Sequence, residues 1–180
     1  MKELRSVNRL IEYFAKLPGV GRRSAEKLAY SILEMSDEDV EGFSSALLDL
    51  KKQVKICPIC GTYTEDEKCE ICNDSTRNCA QILVVSQPKE VESFEKLRSY
   101  KGLYHVLGGT LSAVNGIGVN DLNFAKLIER IDNGNVEEVI IATNPTMDGE
   151  TTALYLAKLL ENKNVKVASI LVKILVSGIT

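Results

Sequence analysis

A chain of 180 residues, 44% apolar and 26% charged, lies in the globular range, which excludes wholesale disorder and allows one ordinary domain or two to three small modules. A net charge of −3 excludes a polycationic nucleic-acid coat, so any such contact has to come from a local basic face. No run of about 18 apolar residues is present, and Met1-Lys2-Glu3-Leu4-Arg5 leads into no apolar signal region, so the expected location is the cytoplasm.

Residues 1 to about 54 read as helical. Val7, Leu10, Ile11 and Phe14 keep the 3, 1, 3 spacing of one helix face. Leu17-Pro18-Gly19-Val20-Gly21 breaks that pattern. Ala25, Leu28, Ala29, Ile32 and Leu33 then form a second apolar stripe. Ser36 is expected to cap a third helix. Asp37, Glu38 and Asp39 stand in its first turn, where the helix dipole favours carboxylates. The basic face lies here: seven Lys/Arg against three Glu between Met1 and Lys27. The two glycines let the chain turn tightly and leave backbone N–H groups at the start of the helix from Arg22, fit to hold a phosphate oxygen. Gly19, Gly21, Arg22, Arg23 and Lys27 are the candidate DNA-binding residues. No base-reading group is evident, so binding should be sequence-independent and salt-dependent. The plainer reading is a helical turn with solvated basic residues.

Residues 56 to about 79 carry little apolar content and need a staple in place of a core. Cys57-Pro58-Ile59-Cys60 and Cys69-Glu70-Ile71-Cys72 repeat the spacing at which two thiolates on a tight turn reach one tetrahedral ion. Four thiolates fill the shell and leave no position for water, so a structural zinc is expected. Its binding energy, about 10–16 kcal/mol, then serves as folding energy. Gly61 is expected to permit close approach of backbone to sulfur. Two disulfides, disfavoured in a reducing compartment, or an iron–sulfur cluster are the competing readings. Cys79 stands outside the pairs and reads as an ordinary buried thiol.

From Ala80 onward strands alternate with helices. Strands are expected at Ile82–Val85, Tyr104–Leu107, Val139–Ala142 and Val165–Ala168, with helices after Pro88, over Asp121–Asp132 and over Gly149–Leu160. The alternation predicts an open, mostly parallel α/β sheet. Ligands of such sheets bind in loops after strands, where Asn144, Thr146, Asp148 and Glu150 fall. Asp148 and Glu150 are either a metal pair or, more simply, carboxylates facing the next helix's dipole. His105, the only histidine, reads as a core residue. Asn115-Gly116-Ile117-Gly118 lacks the third glycine of a dinucleotide fingerprint and reads as a turn.

In order and spacing, Leu17–Gly21 with Ser24-Ala25, the four-cysteine module and the run Ala142–Leu156 resemble the RecR family of bacterial recombination mediators, over roughly residues 1–168. The resemblance implies an α/β multi-module chain. A helix–hairpin–helix DNA-binding region would occupy 1–55, a four-cysteine zinc module 56–79 and a Toprim-like domain 80–168, with an atypical tail over 169–180. It places Ser86, Asn144 and Thr146 where Toprim enzymes carry the Glu and paired Asp that hold Mg²⁺. None of the three is an anionic ligand, so no enzyme is expected. The alternatives are a Mg-dependent Toprim nuclease or nucleotidyl transferase, resting on Asp148 and Glu150, and a protein-interaction scaffold without a DNA role. The resemblance further implies DNA contact through Arg23 and Lys27, on gapped, single- or double-stranded DNA at the nucleoid, helping to load the recombinase. It implies RecO- and RecF-like partners, with Glu90, Asp148 and Glu150 as candidate partner contacts, and a homo-oligomer, dimer or tetramer. Ser169–Thr180 matches neither the Gly-rich segment nor the strand and helix that close the family's pattern and supply its subunit contacts. This apolar run reads as aggregation-prone.

Overall fold

The computed structural model of the chain describes residues 4–170; most of the segment expected to be aggregation-prone therefore lies outside the described residues. The chain divides into two compact units, Met1–Gln53 and Val54–Thr180.

The first unit is helical: α1 (Arg5–Phe14), α2 (Arg22–Ile32) and α3 (Asp37–Gln53). Val7 and Ile11 of α1 pack against Ala25 and Ala29 of α2, with Leu10, Phe14 and Val20 partly buried around them. The apolar stripe expected along α2 is narrower than its sequence suggests. Leu28 is 41% exposed and Leu33, the residue that closes α2, is 64% exposed; α1 covers Ala25 and Ala29, a helical turn apart. Ser36 caps α3, its Oγ accepting from the Asp39 N–H at 3.1 Å.

The second unit opens with an antiparallel hairpin, β1 (Lys55–Ile56) and β2 (Tyr63–Thr64), and a short helix, α4 (Glu70–Asn73). There follow β3 (Asn78–Val85), α5 (Pro88–Leu97), β4 (Gly102–Val106) and a 3-10 turn at Val119–Asp121. The chain then runs through α6 (Phe124–Asn133), β5 (Glu138–Ala142), α7 (Met147–Leu160) and β6 (Lys166–Ser169). The sheet is parallel throughout, in the order β4-β3-β5-β6. Alternate residues of β3 face opposite layers, as strand geometry requires. Ile82 and Val84 join Leu127 and Ile131 of α6 and Leu156 and Leu160 of α7. Leu83 and Val85 join Val91 of α5, Tyr104 and Val106.

The expected helix over Asp121–Asp132 is split. Asp121 Oδ2 accepts from the Gly118 N–H at 2.8 Å and closes a 3-10 turn, and the α-helix starts at Phe124. β3 begins four residues earlier than its apolar run, across a register shift between Asn78 and Ile82. His105 is a core residue: its Nε2 donates to the Asn123 carbonyl at 2.9 Å and its Nδ1 accepts from Arg130 Nη1 at 3.2 Å. Among the described residues no helix is long and apolar enough to cross a membrane.

Candidate metal centre and nucleic-acid interface

The zinc candidates come together. The Sγ atoms of Cys57, Cys60, Cys69 and Cys72 lie within 4.8 Å of one another, the one group among the described residues fit to hold a metal ion. All four thiols are free, and the 3.5 Å between the sulfurs of Cys60 and Cys69 is well beyond the disulfide bond of about 2.05 Å. A tight turn presents the first pair: Gly61 N–H bonds Cys57 O at 3.0 Å and Cys57 N–H bonds Thr62 O at 2.7 Å. The second pair sits on α4, where Cys69 is the N-cap and its sulfur accepts from the Cys72 N–H. Hydrogen bonds from Cys60 and Cys72 hold the Cys69 thiol well below its ordinary value. Cys60 and Cys72 are pushed up, first by their sharing of hydrogen bonds with the neighbouring sulfurs, then by burial. Four thiolates so close repel one another, and a divalent soft cation removes that conflict. The donor set therefore fits zinc.

Gly61 has a further task beside the one its sequence position suggests. At φ +82°, its Cβ would stand 2.9 Å from the Val106 carbonyl oxygen and 3.2 Å from Val106 Cβ. The missing side chain lets the metal turn seat against β4. Cys79 also departs from expectation: it is exposed, not buried, with its sulfur 3.6 Å from Arg77 O. It lies on the irregular first part of β3, where the register with β4 shifts.

In the helical unit, Gly19 turns the chain at φ +80° and Gly21 is the N-cap of α2, with no side chain to accept a hydrogen bond. The first N–H groups of a helix have no partner inside it, so this N-terminus offers its donors outward. Arg22, Arg23 and Lys27 are exposed beside it. Arg22 makes a loose pair with Glu26 at 3.6 Å, both largely solvated.

The loop after β5 turns tightly into α7. Thr146 caps α7, its Oγ1 accepting from the Gly149 N–H at 3.1 Å. The Asn144 carbonyl presses so close to Gly149 that a Cβ there would stand 2.0 Å from its oxygen. Asp148 and Glu150 lie in the first turn of α7, facing its dipole. Ser86 is buried, and its Oγ has no hydrogen-bond partner among the described residues. Glu90 caps α5: its Oε2 accepts from the N–H groups of Ser86 and Gln87 at 2.8 and 3.0 Å. The loop after β4 docks onto α7 through the Leu111 N–H and Thr152 Oγ1, 2.8 Å apart.

Sequence reasoning missed Arg77. Its guanidinium forks onto Glu95 and reaches Gly102 O, while Tyr104 OH donates to Glu95 Oε1 at 2.7 Å. Partners 18 residues apart leave no local signal. Beside this ion pair runs a groove of about 650 Å³ between the metal module and α5. Glu65, Asp66, Glu70, Asp74 and Glu92 stand on its walls.

Three family profiles match in the same order as these parts: the RecR helix-hairpin-helix over residues 7–51, the RecR four-cysteine zinc finger domain over 54–74 and the Toprim domain over 80–171. The recombination protein RecR of Enterococcus faecalis is 47% identical over 161 residues, 89% of this chain and 81% of that protein. The chain belongs to the RecR family. The RecR proteins of Lactococcus lactis subsp. cremoris and Streptococcus thermophilus are 48% and 46% identical over the same shares. Zinc is the cofactor of this RecR-family chain, in agreement with its four-cysteine finger and the clustered sulfurs. The relatives carry the name of a recombination protein, not of an enzyme.

Proposed function

We propose that this chain is a non-enzymatic DNA-binding protein of recombinational repair, working in the cytoplasm at the nucleoid. The carrying observation is the N-terminus of α2, uncapped by any side chain at Gly21 and flanked by exposed Arg22, Arg23 and Lys27. Its N–H groups would hold one phosphate oxygen, and the cations would neutralise neighbouring phosphates. None of these groups reads a base, so gapped, single-stranded and double-stranded DNA would all be bound without sequence preference.

Division of labour follows the modules 1–55, 56–79 and 80–168. Cys57, Cys60, Cys69 and Cys72 hold the zinc, which shapes the middle module and takes no part in chemistry. The Toprim domain serves as a platform. Ser86, Asn144 and Thr146 offer no carboxylate for Mg²⁺, and Asp148 and Glu150 stand in the first turn of α7, where its dipole favours them; both points favour a platform over a nuclease or transferase. Glu150 is exposed and Asp148 half-buried; with Glu90 they would face RecO- or RecF-like partners that help load the recombinase, in a homo-oligomer.

Fluorescence anisotropy on gapped DNA across a salt series tests this. The parent should show a steep slope of log affinity against log salt, and the Arg23→Ala, Lys27→Ala variant should flatten it by about two units, roughly one per lost phosphate contact. An unchanged slope refutes the hairpin assignment. Mg²⁺-dependent cleavage of the same DNA, abolished by Asp148→Asn, would refute the non-enzymatic reading.

A further inference from the structure

α1 buries Val7 and Ile11 against α2, and its solvent side carries cations around one aromatic ring. Arg5, Arg9 and Tyr13 follow at four-residue steps, which makes them one row on a helix surface. All three are exposed, Tyr13 by 54%. Lys16 lies just past the helix end, where its N–H bonds Tyr13 O at 3.2 Å, and its Nζ stands 4.7 Å from the centre of the Tyr13 ring. Glu12, the one carboxylate of α1, is four residues before Lys16, a spacing at which helical ion pairs form, yet the ammonium sits over the ring. Among the described residues no carboxylate comes within ion-pair distance of Arg5, Arg9 or Lys16. A ring so exposed adds little to the core beneath it, so packing does not account for Tyr13. Lys16 precedes Gly19 by three residues, so ring and ammonium lie at the end of the helix pair where the hairpin presents its N–H groups.

We propose that Tyr13 stacks on an unpaired base, so that the helical unit holds single-stranded DNA more tightly than duplex. The inference rests on the reading that the hairpin binds DNA. Phosphates are common to both forms, and the start of α2 with Arg22, Arg23 and Lys27 serves both alike. The face of an aromatic ring finds a partner only where a base has left the duplex stack, and there the combination of cationic groove and ring is the general means of holding a single strand. Lys16 covers one face of Tyr13 and the base takes the other. Arg9, one helical turn back on the same row, neutralises a phosphate beside the stacked nucleotide. Every base has a π-face, so the contact carries no sequence preference, in keeping with the absence of base-reading groups.

The test is fluorescence anisotropy with the full chain at one salt concentration and three probes of equal length: an oligothymidine strand, an abasic strand that keeps the phosphates without the bases, and a duplex. The parent should bind the thymidine strand about tenfold more tightly than the abasic one, the effect of one stacked base. Tyr13→Ala should abolish that ratio and change duplex affinity by less than about twofold, while Tyr13→Phe, which keeps the ring, should preserve the ratio within about twofold. Equal binding of the thymidine and abasic strands by the parent overturns the proposal, and needs no variant. So does a Tyr13→Ala protein that keeps the ratio, or one that loses strand and duplex affinity alike. The Arg23→Ala, Lys27→Ala variant separates the two readings. It should weaken all three probes; if it does and the Tyr13 arm fails, stacking alone falls. If that variant binds as the parent does, or the parent binds no probe, the hairpin reading falls and the stacking built on it falls too.

Discussion

Lowering the pH from 7 to 5 should destabilise the sheet through His105. The ring is 1% exposed. Burial, foremost, pushes its pKa from 6.5 down to about 4, with Arg130 and Lys126 adding to the effect against the hydrogen bond to Asn123. Its neutral form fits the site: Nδ1 accepts from Arg130, and a proton there would set imidazolium against guanidinium. The unfolded chain therefore binds a proton that the folded chain refuses. Stability is full above about pH 6.5 and falls as pH drops toward 4. By pH 5 the unfolded imidazole is almost wholly protonated and the folded one about a tenth. The loss relative to pH 7 is about 2 kcal/mol, tending to about 3 kcal/mol at the acid limit. Urea unfolding followed by circular dichroism at pH 7, 6 and 5, with zinc in excess, measures it in the parent and in His105→Gln. The variant has no imidazole to titrate, so it should lose about 2 kcal/mol less than the parent over this range. Equal losses in the two proteins would refute the argument.

Other perturbations follow from single contacts. Ser86→Ala removes a buried hydroxyl that has no partner among the described residues and should raise stability by about 1 kcal/mol; a lower melting temperature would show that the hydroxyl is bonded after all. Gly149→Ala places a methyl 2.0 Å from the Asn144 carbonyl oxygen and should cost about 3 kcal/mol, visible as a lower urea midpoint; an unchanged midpoint would mean the loop is looser than described. In the zinc-loaded chain the exposed Cys79 should react first with a maleimide, the other four thiols only after chelation. Cys79→Ser should remove that fast phase, and its persistence would place the reactive thiol elsewhere.

Local rules carried much of the fold. The cap of α3, the turn at Leu17–Gly21 and the paired cysteine spacing depend on neighbours within a few residues, so they could be read directly; Thr146 as the cap of α7, which starts two residues before the expected Gly149, was missed. The alternation of apolar runs with helical stripes was enough for a parallel sheet. Reading failed where a partner is distant. Leu28 and Leu33 look like core on a helical wheel, yet the packed chain buries Ala25 and Ala29 in their place. Cys79 reads as an ordinary buried thiol, yet it stands exposed on the irregular start of β3.

Residue type at a fixed spacing was enough for the four thiolate positions and the basic start of α2; that Ser86, Asn144 and Thr146 stand where Toprim enzymes carry carboxylates came from the family resemblance. What those parts touch came from the packed chain alone. Packing set Gly61 and Cys60 against Val106, placed Arg77, Arg130 and Asn123 over carbonyls of β4, and enclosed His105 between Asn123 and Arg130. Those contacts join residues from 17 to more than 40 positions apart, and their geometry is set by sheet order and helix packing, which no local pattern encodes.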